Sequence, residues 1–457
     1  MSQCSYHHAN QWSRRRFLRT AAGTLAATVA LQRTGAAVET RRPNILWIWS
    51  DNLAYGDLGC YGNDGINTPH IDALASEGLR LTQYYVAHSV CSPSRAALLT
   101  GRQPWRAGVV DVLRPDGPSG LPADEITLGN ALGNAGYATA AFGKWHLGDR
   151  QEFLPCQRGF DHFLGLPYSM DMLPTLLIRD NEVVDRLDGD KVQNVTERLT
   201  DAAIDWIRQP RDRPFFIYFN HTLPHPPINL PPERRHEERS AYQDALEYMD
   251  AEVGRLLAAV DDSGLADNTL VVFSSDNGPM LRDGDTGGLR GRIRDHYEGG
   301  LRVPFIARYP GHISADVTID TPCTALDVFP TLLRVAGGEL PDDRVYDGAD
   351  IWPVLTGSGE VTRSEPFVWV YMERVNTIRD GRWKLHLAHR DERLAEPELY
   401  DVQADPQESV PVQNDRADVV ERLVAYAREY DEQLPMVWRL AYPVRDPERR
   451  PSGVRRE

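Results

Sequence analysis

Several short polar segments carry the side chains from which an active centre could be built. Cys91-Ser92-Pro93-Ser94-Arg95 runs directly into Ala96-Ala97-Leu98-Leu99-Thr100-Gly101-Arg102. Proline is favoured in a first helical turn, so a helix is expected to start near Pro93 with its amide-rich end toward Cys91, where an anion is stabilised. Spacing leaves Cys91 open to three readings: a buried inert thiol, a thiolate nucleophile or a modified residue. Lys144 and His146 stand in Gly143-Lys144-Trp145-His146, and His221 and His225 in Asn220-His221-Thr222-Leu223-Pro224-His225. Asp51-Asn52 and Asp276-Asn277 follow two further apolar runs. Ammonium and imidazole groups can neutralise a reacting anion or move its protons. Each segment also has an ordinary explanation: Asp276-Asn277-Gly278 as a turn, Asp51 as a loop cap, the lysine as a surface charge, the histidines as hydrogen-bonded structural groups.

The elements that must position these residues share one pattern. Asn44–Trp49 is apolar and short enough for a strand buried on both faces, and polar residues begin at Ser50-Asp51-Asn52. The same switch follows Ala138–Phe142, Phe215–Phe219 and Leu270–Phe273. Helical stretches at Pro69–Gly78, Thr127–Gly136, Val195–Arg208 and Tyr242–Ser263 intervene, so strands and helices alternate as in an open α/β sheet. The C-terminal strand ends of such a sheet share a rim, which would gather these distant Asp, Asn, Lys and His residues. Gly, Pro and Asp accumulate from Gly337 to Gly359. Beyond them, Phe367–Met372, Val375–Ile378, Trp383–Leu387 and a helical run from Arg416 to Leu434 predict a smaller C-terminal subdomain, an antiparallel sheet with one helix.

The 457 residues carry 50 basic and 66 acidic side chains, a formal charge of −16 that disfavours nucleic acid or an anionic membrane as a partner. Five cysteines (Cys4, Cys60, Cys91, Cys156, Cys323) show no CxxC spacing and are too few for a disulfide scaffold in this length. The start is organised differently. Ser13-Arg14-Arg15-Arg16-Phe17-Leu18-Arg19, an Ala-rich stretch from Ala21 to Leu31, and Gly35-Ala36-Ala37 resemble a bacterial twin-arginine export signal. Removing residues 1–37 deletes five arginines and no acid, taking −16 to −21. The expected partner is the twin-arginine machinery, the expected location the periplasm or the outside of the cell, and no stable membrane span remains.

Cys91-Ser92-Pro93-Ser94-Arg95 with Leu99-Thr100-Gly101-Arg102 closely resembles the signature of type I sulfatases. The likeness extends through Asp51–Gly62, Thr68-Pro69-His70-Ile71-Asp72, Gly143–Gly148, Ser275-Asp276-Asn277-Gly278 and Glu298-Gly299-Gly300-Leu301-Arg302-Val303-Pro304. It continues in Arg379-Asp380-Gly381-Arg382-Trp383-Lys384 and Glu398-Leu399-Tyr400-Asp401, and Phe153-Leu154-Pro155 and Gly159–Ser169 look similar to arylsulfatase A-like members. The resemblance implies an alkaline-phosphatase-like mixed central sheet flanked by helices, a catalytic domain over 41–355, a C-terminal subdomain over 356–441 and a tail over 442–457. It implies that a formylglycine-generating enzyme converts Cys91 to Cα-formylglycine. The hydrate of that aldehyde would cleave a sulfate monoester of an aryl or carbohydrate alcohol through a covalent sulfated intermediate. Asp51, Asn52, Asp276, Asn277 and a hydrate oxygen on residue 91 map onto the family's divalent-cation site, whose hard oxygens suit Ca2+, with Mg2+ the second choice. Arg95 would stabilise the hydrate, Lys144 would neutralise sulfate oxygens, His146 would deprotonate the hydroxyl that expels sulfate, and His225 would protonate the departing alcohol.

Two positions depart from the family pattern. Asn52 stands where a second aspartate is commoner, which removes a full negative charge from the cation site. Ile293 stands where an active-site lysine is usual, and Arg292 or Arg294 beside it are the candidates to restore the charge. Tyr55, Trp105, Trp145 and Tyr168 are the aromatics that could line a ring-binding cleft. A phosphate or phosphonate monoester hydrolase on the same architecture, and a noncatalytic sulfated-glycan-binding protein, are the alternative functions.

Overall fold

The computed structural model describes residues 41–435 except 281, 364, 372–373 and 390–391. The export signal read over 1–37, the tail over 442–457 and the last residues of the 356–441 subdomain lie outside the described residues.

Asn44–Ser50 forms the middle of a ten-stranded sheet. It pairs in parallel with Phe215–Asn220 on one side and Thr269–Ser275 on the other, and Ala138–Lys144 adds in parallel beyond Phe215–Asn220. All four strands are buried along their whole length, as expected of apolar runs covered on both faces. Alternation along the central strand sends Ile45, Trp47 and Trp49 into one core and Leu46 and Ile48 into the other. The first core is completed by Leu98 and Leu99 of the Cys91–Thr100 helix and by Phe329 and Leu332. The second is completed by the amphipathic helices Val195–Arg208 and Ala241–Asp262, the latter opened by a Ser240–Gln243 capping box.

The sheet is mixed. Phe305–Arg308 runs antiparallel to Thr269–Ser275, and the Leu176–Arg179 and Glu182–Arg186 hairpin extends the opposite side antiparallel to His162–Leu166. These short outer strands lack a long apolar run, which is why the sequence pattern did not separate them from loops.

The C-terminal sheet has four antiparallel strands, Phe367–Tyr371, Arg374–Asp380, Trp383–His389 and Glu392–Asp401, rather than the three expected. The fourth, at the sheet edge, contains Pro397 and four acidic residues, a composition that hides it from propensity but that an edge strand tolerates. Helix Ala417–Asp431 lays Val419, Leu423 and Ala427 on Val368, Ile378, Leu385 and Leu399. The described residues from Pro43 onward form one compact unit. Among the described residues no helix is long and apolar enough to cross a membrane.

Candidate active site

Strand register brings the predicted residues together. Ser50 is aligned with Ser275, Trp49 with Asn220, and Asn220 with Gly143, so the four central strands end at one level. Asp51, Asp276, Lys144 and His221 therefore emerge side by side on one rim. Gly143 makes the close approach possible: its φ is +92°, and a Cβ there would lie 1.7 Å from the Asn220 carbonyl oxygen.

Cys91 is the first residue of its helix, which begins two residues before the expected start, and the whole helix is buried. The Cys91 Sγ lies 3.9 Å from Asp51 Oδ1 and 3.8 Å from Asn52 Oδ1. Burial pushes the Cys91 thiol well up, against the pull of Lys144, so as a cysteine it stays protonated.

Two buried ion pairs frame it. Lys144 Nζ donates to both oxygens of Asp51, at 3.0 and 2.8 Å. Arg95 donates from Nε and Nη2 to Asp276 Oδ2, at 3.1 and 2.8 Å, and from Nη1 to the Lys144 carbonyl at 2.9 Å. Its Nη2 is also 4.0 Å from Asp51, and its guanidinium lies over the Trp49 ring. Burial alone would raise the Asp51 carboxyl, but the charges of Lys144, His225 and Arg95 outweigh it and hold the group below its ordinary value. Burial works against the charge of Arg95, and Asp276 and Asp51 more than restore it.

The histidines have assigned faces. His146, at φ +60°, donates from Nε2 to the Leu113 carbonyl at 3.1 Å, which leaves the Nδ1 lone pair buried and without a partner among the described residues. Burial first, then Lys144 and Arg95, push its pKa well below the ordinary histidine value, so the ring is neutral and Nδ1 is an acceptor. Leu113 is tied to the nucleophile helix, its N–H donating to Ser92 Oγ at 3.1 Å. A backbone carbonyl such as that of Leu113 offers no signal in sequence. His225 donates from Nδ1 to the Pro226 carbonyl at 2.5 Å, which leaves Nε2 for the centre. His221 accepts from the Leu223 N–H at Nδ1 and is buried, and burial pushes its pKa down to about 3 against the charge of Asp51.

Asp51, Cys91 and His225 present ligand atoms within 4.8 Å of one another. Around them, Asp276 and the amides of Asn52 and Asn277 are fully enclosed, Asn277 Nδ2 donates to Asn52 Oδ1 at 2.6 Å, and Asn277 Oδ1 has no partner among the described residues. Two carboxylates and two amide oxygens, one of them orphaned in a closed pocket, fit a hard divalent cation rather than a soft one. Asn52, at φ +68°, occupies the left-handed region that asparagine tolerates, and its N–H donates to Asp276 Oδ1 at 3.0 Å.

Three of the four expected cleft aromatics are packing residues. Trp105 sits edge-on to Tyr430, Trp145 donates to the Phe153 carbonyl from within the core, and Tyr55 donates to the Thr82 carbonyl and packs on Tyr61. Tyr168 alone stands against a predicted catalytic group, edge to face with His146 at 5.4 Å. Ile293 is partly buried and carries no charge to the centre. Its N–H is bound to the Pro279 carbonyl, and the next N–H, that of Arg294, is bound to the Ser89 carbonyl.

The sulfatase family model matches residues 43–338, and the model of the N-sulphoglucosamine sulphohydrolase C-terminal region matches residues 292–432. Arylsulfatase A of Homo sapiens is 38% identical, over 82% of this chain and 84% of the relative. N-acetylgalactosamine-6-sulfatase of Canis lupus familiaris is 35% identical, over 77% of this chain and 73% of the relative. The crystal structure of Ps i-CgsB in complex with k-i-k-neocarrahexaose superposes with a TM-score of 0.79 at 29% identity, covering 88% of this chain and 98% of that one. With its mixed sheet, its small C-terminal antiparallel sheet and these relatives along most of its length, the chain belongs to the sulfatase family, enzymes that hydrolyse sulfate esters.

Proposed function

We propose that this sulfatase acts on sulfate monoesters of a carbohydrate or aryl alcohol, with Cys91 converted to Cα-formylglycine by a formylglycine-generating enzyme. The observation that carries the reading is the placing of Cys91 Sγ within 4 Å of both Asp51 and Asn52, between the buried cations Lys144 and Arg95. A protonated thiol in that position is a poor nucleophile, whereas the hydrated aldehyde supplies an oxygen nucleophile whose second hydroxyl allows sulfate to be expelled. Asp51, Asn52, Asp276 and Asn277 would hold Ca2+, or Mg2+ in its place, which when bound polarises the sulfate and lowers the charge repulsion between it and the nucleophile.

The chain's own groups do the rest. Lys144 and Arg95 concentrate positive charge where sulfate oxygens gather. His146 offers an unprotonated Nδ1 to take a hydroxyl proton, and its Nε2 contact with Leu113 fixes that tautomer. His225, oriented by the Pro226 carbonyl, presents Nε2 to the departing alcohol oxygen. The carbohydrate reading draws on the galactosamine sulfatase relative and on the neighbour bound to neocarrahexaose. The arginine-rich start, Arg14 to Arg19, supports export by the twin-arginine route to the periplasm or beyond.

The test is mass spectrometry of the peptide spanning Leu81–Arg95 after co-expression with a formylglycine-generating enzyme, alongside turnover of p-nitrophenyl sulfate and of sulfated sugars. The mass of the aldehyde or its hydrate at residue 91, together with sulfate release, is the expected result. An unmodified cysteine in a preparation that still turns over would refute the formylglycine reading. Faster release of phosphate than of sulfate from matched esters would move the assignment to a phosphomonoesterase.

A further inference from the structure

Beside the catalytic rim lies a cation that the reaction described above does not use. Arg294 has φ +72° and is half-buried, and its N–H donates to the carbonyl of Ser89, two residues before Cys91. Its Nη1 donates to Tyr371 Oη at 3.2 Å. Among the described residues no carboxylate lies within ion-pair distance of its guanidinium, and no hydrogen bond engages Nε or Nη2. By contrast, Arg95 is paired with Asp276, Lys144 with Asp51, and Lys384 with Glu298. A half-buried guanidinium without a counter-charge among the described residues, in a chain of net charge −16, has the chemistry to take an anion from outside.

The surroundings hold this side chain in place. Tyr371, at the end of the Phe367–Tyr371 strand, is 5% exposed. It packs against two imidazoles, His88 at 5.4 Å and 36° and His296 at 5.4 Å and edge-on, and the two histidines meet at 6.1 Å. His88 is buried with neither ring nitrogen hydrogen-bonded to a described residue. Such a ring contributes packing area rather than a polar contact, so its place under Tyr371 is that of a brace. Arg292 is directed elsewhere, its Nη2 donating to the Arg282 carbonyl at 3.2 Å, and Ile293 between them is apolar. Of the two arginines flanking Ile293, it is Arg294 that joins the nucleophile segment to the C-terminal sheet.

We propose that Arg294, held by Tyr371 and braced by His88 and His296, binds a second acidic group of the substrate, a carboxylate or further sulfate on the sugar that bears the scissile ester. The inference rests on the sulfate-ester reading and adds a substrate class to it: polyanionic rather than neutral sulfated sugars. Tyr371 and His88 are positioning residues here, and Arg294 is the group that touches substrate.

The test is calorimetric binding to the full chain carrying Cys91→Ala, which cannot turn over. The probes are a monosulfated disaccharide containing a hexuronate, its carboxyl-reduced counterpart, and a disulfated neutral disaccharide, so that carboxylate and sulfate are read separately. At least one acidic probe is expected to bind about tenfold more tightly than the reduced one, as a charge-assisted fork contact would give. Arg294→Gln should erase that preference, Arg294→Lys should keep part of it, Tyr371→Phe should weaken it, and Arg292→Ala should preserve it. Equal or absent binding of the acidic and reduced probes, or a preference that survives Arg294→Gln, overturns the proposal. Turnover of p-nitrophenyl sulfate by the unmutated enzyme is scored separately. A missing turnover with an intact, Arg294-dependent preference would sink the enzymatic reading and leave the subsite standing.

Discussion

Glu408→Gln should remove a specific slope from the pH dependence of stability. Glu408 lies wholly buried where the C-terminal sheet meets the Glu298-Gly299-Gly300 segment. Its Oε2 accepts from the Glu298 N–H at 2.6 Å, and its Oε1 faces His386 Nε2 at 2.6 Å and Lys384 Nζ at 3.3 Å. Lys384 gives its shorter contact, 2.8 Å, to Glu298. One ammonium thus serves two carboxylates. Burial raises the Glu408 carboxyl from its ordinary 4.5 to about 7, with the Glu298 charge adding to the rise. A carboxyl whose folded pKa is raised holds more protons in the folded state, so its contribution to stability is fully present below 4.5 and is lost as pH rises through about 7. Between pH 5 and 7.5 the loss from this one group is about 2 kcal/mol, at ~1.4 kcal/mol per pKa unit. Glutamine cannot titrate. Like the protonated carboxyl it presents one acceptor and one donor end, so its cost relative to that form does not change with pH. Urea unfolding curves at pH 5 and 7.5, followed by tryptophan fluorescence, separate the constant cost from the slope. The wild type should lose about 2 kcal/mol more than Glu408→Gln across that interval. Parallel losses in the two proteins would show that Glu408 does not titrate there and would refute the reasoning.

Gly143→Ala should cost at least about 3 kcal/mol, because it adds a Cβ to a left-handed residue whose strand neighbour leaves no room; a thermal midpoint within a degree or two of wild type would contradict that. Lys144→Met leaves Asp51 in the interior without its closest cation and should lower kcat/KM on p-nitrophenyl sulfate by about 10²–10³. Kinetics within a few-fold of wild type would remove Lys144 from the reaction. Asn52→Asp adds a full charge to the proposed cation site, and should raise Ca2+ affinity by about tenfold, read as a larger Ca2+-induced rise in melting temperature. An unchanged or smaller Ca2+ shift would argue that residue 52 does not face the ion.

The parts of the molecule legible in sequence are those set by local pattern. Apolar runs of strand length buried on both faces, at Asn44–Ser50, Ala138–Lys144, Phe215–Asn220 and Thr269–Ser275, showed the core of the sheet, and the polar residues directly after them showed the rim that carries the candidate site. The helix starting at Cys91 was legible from Pro93 and the Ala-Leu run behind it, although the first turn begins at the cysteine itself. Short outer strands and the charged edge strand Glu392–Asp401 were not legible, since neither alternation nor apolar content marks a strand at the margin of a sheet.

What the sequence by itself determined is therefore the set of candidate side chains and the strand ends that carry them. Only the tertiary structure decided their partners. Lys144 reaches Asp51 across 93 residues through the parallel register of the strands that carry them, and Arg95 reaches Asp276 across 181 because its buried helix packs against the sheet, neither pairing set by anything near either residue in the chain. The same holds for the aromatics: Trp105 and Trp145 carry the residue type of a substrate cleft, yet their neighbours bury them in the core. Of two arginines beside Ile293, the sequence could not choose. The backbone turn at residue 294 and the distant Tyr371 set where Arg294 lies, because a side chain's direction follows from dihedral angles and long-range packing that local composition does not encode.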